Sequence, residues 1–171
     1  MSLAGRRLLA LGLAGAIFAL DQWIKGLMLG PLALRDIRQI EIVPFFNLTW
    51  AENYGVSLGM LTANSVEARY LLVALTSAVA LAVFIWILRE KEKAELVALA
   101  LVLGGALGNI FDRFTRGFVV DYADLHFGEF RPFLIFNFAD AAITIGVLII
   151  LARSLLSREK PKPAAEAVPE S

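Results

Sequence analysis

The chain has 171 residues, of which 58% are apolar and 19% are charged, and its formal net charge is zero. Soluble domains are about half apolar and about a quarter charged, so this composition favours a membrane protein. The zero net charge gives no indication of a nucleic-acid partner. With no cysteine and one histidine, the chain cannot use disulfides, thiol catalysis or a poly-His metal site. We therefore expect no cofactor and no metal.

Four segments have the apolar character of membrane-spanning helices, which need about 20 mostly apolar residues. The first follows Arg6 and Arg7, as a secretory signal would, but no small-residue cleavage site follows, so we interpret it as a retained helix. The fourth reaches membrane length only if its first turn carries Asp140. We place the spans at residues 8–29, 70–88, 94–112 and 137–156.

The basic residues indicate how the spans cross the membrane. Four spans leave both termini on one side, and basic residues cluster there at 6–7, 89–93 and 153–162. Because basic residues in short flanks favour the cytoplasm, we predict that both termini are cytoplasmic. The connecting segments 30–69 and 113–136 are then external.

One membrane-embedded domain is predicted over residues 1–160. The remaining residues, 161–171, are rich in Pro, Ala and Glu, which predicts a disordered cytoplasmic tail.

The external segments carry weaker signals of secondary structure. Residues 37–43 and 46–50 alternate in part around Pro44, which predicts a small hairpin. Residues 118–120 predict a short strand that ends at Asp121, and residues 62–69 predict a short helix at the membrane interface.

Polar residues gather at the external ends of the spans. Charged side chains in a membrane are costly, so we treat them as candidate functional groups. Simpler structural explanations also exist. The spacing of Asp21 and Lys25 favours a salt bridge within a helix, and Asn137 and Asp140 are spaced to cap one. The residues at the span ends are Asp21, Lys25, Asn109, Asp112, Arg113, Asn137 and Asp140, and Asn53 and Asp121 lie in the external loops that join those ends.

Two further features have a structural interpretation. Ala100, Gly104 and Gly108 form a face of small residues, which predicts close packing against another helix. We interpret His126 as a loop residue and not as a catalyst.

Five segments match one known family in their order, spacing and position. On these segments the chain resembles the lipoprotein signal peptidases (signal peptidase II), over all four spans. The resemblance implies an all-α polytopic membrane protein with four transmembrane helices, a small external β-sheet cradle and a short interfacial helix. The matching segments are Asp-Gln-Trp-Ile-Lys at 21–25, Asn-Tyr-Gly at 53–55, Gly-Gly-Ala-Leu-Gly-Asn-Ile-Phe-Asp-Arg at 104–113, Gly-Phe-Val-Val-Asp at 117–121 and Phe-Asn-Phe-Ala-Asp at 136–140.

The resemblance also implies a function. It implies an aspartic endopeptidase of the bacterial cytoplasmic (inner) membrane, with its active site at the external surface. The implied substrate is a diacylglyceryl-modified prolipoprotein, cleaved on the amino side of the lipidated cysteine. Membrane lipids are further partners, peptide antibiotics such as globomycin are expected inhibitors, and we expect a monomer.

The family motifs place the catalytic pair on Asp121 and Asp140. The remaining matched positions are expected to support the pair or to contact substrate, and they are Asp21, Lys25, Asn53, Asn109, Arg113 and Asn137.

A pair of carboxylates fits peptide hydrolysis that uses no metal, thiol or Ser–His pair. When two carboxyl groups lie close together, one pKa rises and the pair shares a proton, so one member activates water while the other protonates the scissile carbonyl. Asp140 is the better candidate for the ionised member, because the dipole of a helix N-terminus favours its charge. The residues alone leave Asp112 and Asp124 open as rival acids.

Two other functional classes are considered. Acids within spans are also typical of transporters and proton-relay proteins, but the cytoplasmic halves of the later spans offer no polar path. In a non-catalytic membrane scaffold, the polar cluster would only join the helix ends. Separate replacement of Asp121 and Asp140 by Asn discriminates these classes from a peptidase.

Overall fold

The computed structural model describes residues 1–55 and 66–158 of the chain. The predicted tail at 161–171 and residues 62–65 of the predicted interfacial helix lie outside the described residues. The helices are α1 (Leu3–Leu29), α2 (Leu34–Ile37), α3 (Val66–Arg89), α4 (Lys93–Thr115) and α5 (Phe138–Arg158), and the strands are β1 (Gln39–Val43), β2 (Phe46–Asn53) and β3 (Val119–Leu125).

The four long helices, α1, α3, α4 and α5, are apolar and long enough to cross a membrane. A helix rises 1.5 Å per residue, so even the 19-residue apolar part of α5, Phe138–Leu156, covers about 29 Å, close to the thickness of the hydrocarbon core. The predicted fold of four membrane helices with a small sheet is confirmed. Asp140 lies in the first turn of α5, as the length of the fourth span required.

Helix α4 lies at the centre of the bundle and packs against α1, α3 and α5. Its small residues let backbones approach closely. A Cβ atom on Gly104 would lie 2.6 Å from the carbonyl oxygen of Ala14 in α1, and one on Gly105 would lie 2.5 Å from that of Ala139 in α5. The Gly104 contact confirms the predicted packing role of the small-residue face, and Gly105, outside that face, approaches α5 in the same way.

The sheet is antiparallel, with strand order β1-β2-β3. The predicted strand at 118–120 is present from Val119, but it does not end at Asp121. It continues to Leu125 because β2 pairs with it over that length, with Asn47 opposite Asp124 and Phe46 opposite Leu125. One face of the sheet packs on the end of α1 through a cluster of buried residues, Met28, Leu34, Trp50, Val120, Tyr122 and Ala123. This packing places β3 beside the ends of α1 and α4.

The described part of the predicted interfacial helix, residues 66–69, forms the first turn of α3. A separate one-turn helix, α2, follows α1 directly.

Candidate active site

Strand β3 holds Asp121 in a buried position, with 2% of its surface exposed. Both carboxylate oxygens accept side-chain amides: Asn53 Nδ2 donates to Oδ2 at 3.0 Å, and Asn137 Nδ2 donates to Oδ1 at 2.7 Å. The orientation of Asn53 is set within its own turn, because its Oδ1 accepts the Gly55 N–H at 2.9 Å. Gly55 has a φ of 97°, which glycine adopts most readily.

The first turn of α5 holds Asp140 through reciprocal capping bonds with Asn137. Asn137 Oδ1 accepts the Asp140 N–H at 2.9 Å, and Asp140 Oδ2 accepts the Asn137 N–H at 3.2 Å. This arrangement is a capping box, in which two otherwise unpaired backbone donors are satisfied. The predicted capping role of both residues is therefore confirmed, and it leaves the Asn137 amide nitrogen facing Asp121.

Two other elements complete the N-terminus of α5. The Phe138 N–H donates to Tyr122 Oη at 3.1 Å, and the Ala139 N–H donates to Asp21 Oδ1 at 3.2 Å. Because free N–H groups at a helix start need partners, strand β3 and helix α1 both fix where α5 begins. They thereby fix the position of Asp140.

Two buried asparagines join the two carboxylates. Asn109 Nδ2 donates to Asp140 Oδ1 at 2.8 Å, and Asn137 Nδ2 lies 3.2 Å from Asn109 Oδ1. Asn137 also contacts Asp121, so the path from Asp121 to Asp140 is continuous through these amides.

A buried cluster of charged side chains, the ion cluster, contacts Asn109. Lys25 is fully buried, and its Nζ lies 2.8 Å from Asp21 Oδ2 and 2.8 Å from Asp112 Oδ2. The same ammonium donates to Asn109 Oδ1 at 3.2 Å. Because an amide has one acceptor oxygen and one donor nitrogen, this contact turns the Asn109 nitrogen toward Asp140. The predicted helix pair between Asp21 and Lys25 is confirmed.

The environment of Asp121 raises the pKa of its carboxyl group. Burial, and then the negative charge of Asp140, raise the pKa of Asp121 from 3.8 to about 6, against the opposing effects of the Asn53 and Asn137 amides and of Lys25. Arg113 is half-buried and its charge acts on both carboxylates, while its buried Nε has no hydrogen-bond partner in the described structure. Asp121 therefore holds a proton at higher pH than an ordinary carboxyl group.

The rival acids have other partners. Asp112 pairs with Lys25 and Arg116 and accepts the Val120 N–H at 3.2 Å. Asp124 accepts the Thr49 hydroxyl at 3.1 Å and pairs with Arg131 at 3.2 Å. Both carboxylates thus bind structural groups, which favours Asp121 as the partner of Asp140.

A groove of about 310 Å³ adjoins Asp140 along α5. Its walls are mostly apolar, so it can hold a lipid-like group beside the carboxylate. The lining residues are Phe133, Phe136, Asp140, Ala141, Thr144 and Ile145.

Two residues of the site were not singled out from the sequence. Gln22 donates to Asp21 Oδ2 at 3.0 Å and to Asp112 Oδ1 at 3.1 Å, so it joins the ion cluster. Its place inside the matched segment 21–25 was a usable signal. Tyr122, which caps α5, had no such signal, because the reach of its hydroxyl depends on how β3 meets α5.

The chain is similar to known proteins over nearly all its length. Residues 13–156 match the family described as Signal peptidase (SPase) II. The lipoprotein signal peptidase of Rhizorhabdus wittichii is 55% identical, over 95% of this chain and 94% of that protein. That of Acinetobacter baumannii is 37% identical, over 91% of this chain and 88% of that protein.

Solved structures show the same fold. One bacterial membrane enzyme aligns with a TM-score of 0.73 at 28% identity, over 91% of this chain and 94% of that one. Another aligns with a TM-score of 0.73 at 29% identity, over 85% and 92% of the two chains.

Proposed function

The chain belongs to the signal peptidase II family of multi-pass membrane peptidases, and from this membership we propose that it cleaves diacylglyceryl-modified prolipoproteins by an aspartic mechanism. The cut lies on the amino side of the lipidated cysteine. Asp121 and Asp140 carry the reaction at the external surface of the bacterial inner membrane, with both termini cytoplasmic. The enzyme acts as a monomer, and globomycin-type peptides inhibit it.

The observation that carries this proposal is the continuous amide connection between two carboxyl groups with different environments. Asp121 is buried and its pKa is raised to about 6, whereas Asp140 lies in the first turn of α5 and accepts hydrogen bonds from Asn109 Nδ2 and the Asn137 N–H. In this proposal Asp121 is the acid, and Asp140, which lies at the positive end of the α5 dipole, acts as the base. The two groups thus supply an acid and a base side by side.

The proposed reaction begins with attack of water on the scissile carbonyl. Asp140 accepts a proton from the water, whose oxygen bonds to the carbonyl carbon, while Asp121 donates its proton to the carbonyl oxygen. The resulting diol then collapses. One diol proton returns to Asp121, the carbon–nitrogen bond breaks, and the leaving amine takes the proton held by Asp140. Both carboxyl groups regain their starting states.

The supporting residues hold this pair in place. Asn53 and Asn137 orient Asp121, and Asn109 orients Asp140. Lys25 and Asp21 act through Asn109 and the capped start of α5. The charge of Arg113 acts on both acids. We propose that it stabilises the negative charge, which passes from Asp140 to Asp121 when the diol forms and returns when the diol collapses.

The groove along α5 supports a lipidated substrate. It starts at Asp140 and follows the apolar side of the helix past Ala141 and Ile145. A diacylglyceryl chain lying in this groove stays in an apolar environment while the neighbouring peptide bond reaches the carboxylates.

A transporter is less well supported. Residues 96–107 of α4, the central helix, are all apolar or small, and the polar network described above lies beyond them at one end of the bundle. A path for ions would need polar groups along the span. A pure scaffold is also less well supported, because it gives no reason for the amide connection between two acids.

The test is to express Asp121→Asn and Asp140→Asn separately and to follow processing of a lipidated prolipoprotein on gels. We expect both variants to lose processing while remaining folded, because each lacks one proton-transfer group. Asp124→Asn serves as the control and should retain processing. Normal processing by either folded variant of the pair would refute the aspartic mechanism.

A further inference from the structure

A second groove lies between α1 and α4, at the end of the bundle opposite the carboxylates. Its volume is about 230 Å³, and its floor is apolar. It lies where α1 and α4 carry their first turns, whereas Lys25 and Asn109 lie near the other ends of the same helices. The residues that line this groove include Arg6, Leu9, Leu13, Lys93 and Val97.

The rim of this groove carries two cations, Arg6 and Lys93. Neither pairs with an acid within 4 Å in the described part of the chain. The Arg6 Nε is buried and has no hydrogen-bond partner among the described residues, which is costly for a charged donor. Its neighbour Arg7 differs, because its Nε donates to the Glu90 carbonyl at 3.0 Å.

Two acids near the groove, Glu90 and Glu95, have other partners. Glu90 Oε1 accepts the backbone N–H groups of Lys91 and Glu92 at 2.7 and 2.8 Å. Glu95 Oε1 pairs with Arg153 at 3.0 Å. Glu92, which precedes Lys93, is exposed and forms no ion pair within 4 Å among the described residues. Arg6 and Lys93 are therefore available to pair with an external anion.

We propose that this groove binds one anionic phospholipid, with its phosphate on Arg6 and Lys93 and an acyl chain against Leu9, Leu13 and Val97. A phospholipid matches both halves of the site, because it joins an anion to an apolar chain. Basic pockets between membrane helices bind such headgroups. The groove is separate from the one beside Asp140, so this lipid is a structural ligand and not the substrate.

The test is native mass spectrometry of the full chain, delipidated in detergent and titrated with phosphatidylglycerol or phosphatidylcholine of equal chain length. We expect one phosphatidylglycerol to bind more tightly than phosphatidylcholine. Arg6→Gln and Lys93→Gln should each weaken the binding of phosphatidylglycerol about fivefold, because one cation near the membrane surface contributes about that much to binding of an anionic lipid. Lys91→Gln, at an exposed position in the α3–α4 turn, is the control and should change little. Equal affinity for the two lipids, or an equal loss in the control, would overturn the proposal.

Two further variants locate the bound lipid. Val97→Phe, at a half-exposed lining position, fills the groove and should weaken phosphatidylglycerol binding without removing a charge. Ala141→Phe blocks the groove beside Asp140 instead, and it should leave this binding unchanged. The reverse pattern would place the lipid at the other groove and refute the site proposed here.

Discussion

Lys25 Nζ lies 3.2 Å from Oδ1 of Asn109, and this contact determines which way the Asn109 amide faces. The nitrogen of that amide then donates to Asp140 at 2.8 Å. A buried cation thus acts on a carboxylate that it does not touch, through the fixed polarity of one amide.

The first prediction concerns this polarity. Asn109→Asp keeps the shape of the side chain and its contact with Lys25, but it places a carboxylate against Asp140 where a donor had been. We expect kcat/KM for processing to fall by about 10²- to 10³-fold, as on loss of a preorganised donor. Asn109→Ala removes the donor without adding charge and is the matched comparison. If Asn109→Asp retains activity while Asn109→Ala loses it, the proposed role of the donor is wrong.

The second prediction concerns the ion cluster. Lys25→Met leaves Asp21 and Asp112 buried without their shared cation, and we expect the variant to lose about 3–5 kcal/mol of unfolding free energy. Thermal unfolding in detergent measures the effect. Adding Asp112→Asn should restore part of the loss, since it leaves one buried negative charge beside position 25 instead of two, although it also removes the pair with Arg116. A single Lys25→Met variant as stable as the parent protein would contradict this account.

The third prediction concerns pH and stability. The pKa of Asp121 is raised from 3.8 to about 6, mainly by burial, so the folded state binds this proton more tightly than the unfolded state. The contribution of Asp121 is therefore most favourable below about pH 4 and is lost as pH rises to about 6, by up to about 3 kcal/mol. Asp121→Asn should remove this part of the pH dependence of Tm. An unchanged profile in that variant would assign the dependence to another group.

The same shift predicts the pH dependence of catalysis. If Asp121 donates the proton, kcat/KM should fall as pH rises above about 6, because the acid is lost. The measurement is processing of a lipidated prolipoprotein over a pH series at constant ionic strength. A rate that keeps rising through pH 8 would exclude Asp121 as the proton donor in the free enzyme.

The fourth prediction concerns helix packing. A Cβ on Gly105 would lie 2.5 Å from the Ala139 carbonyl oxygen, so Gly105→Ala must push the first turn of α5 away and move Asp140. We expect a clear loss of processing. Gly12→Ala in α1 meets no atom within 4 Å and should be neutral or stabilising by up to about 1 kcal/mol. Equal behaviour of the two variants would show that the close approach is not needed.

The four spans and the polar ends were predictable from the sequence, because hydropathy and the cost of buried charge act locally along the chain. The position of Asp140 in the first turn of the last helix followed from the shortness of that apolar segment. The length of β3 could not be predicted in this way, because its extension past Asp121 depends on pairing with β2.

The connections between elements were also beyond prediction. Nothing near Tyr122 indicates that its hydroxyl caps α5, and the shared use of Lys25 by Asp21 and Asp112 arises only when α1 meets α4. Among Asp121, Asp112 and Asp124, the family motifs favour Asp121 as the catalytic acid, and the structure offers a physical argument for the same proposal. Asp112 and Asp124 already pair with Lys25 and Arg131, respectively.

The bond from the Ala139 N–H to Asp21 joins the last membrane helix to the first. Because α5 follows α1 and β3 in the chain, its start acquires this partner, and Asp140 its position, only after α5 itself has been synthesised. A partly synthesised chain accordingly has no assembled carboxylate pair.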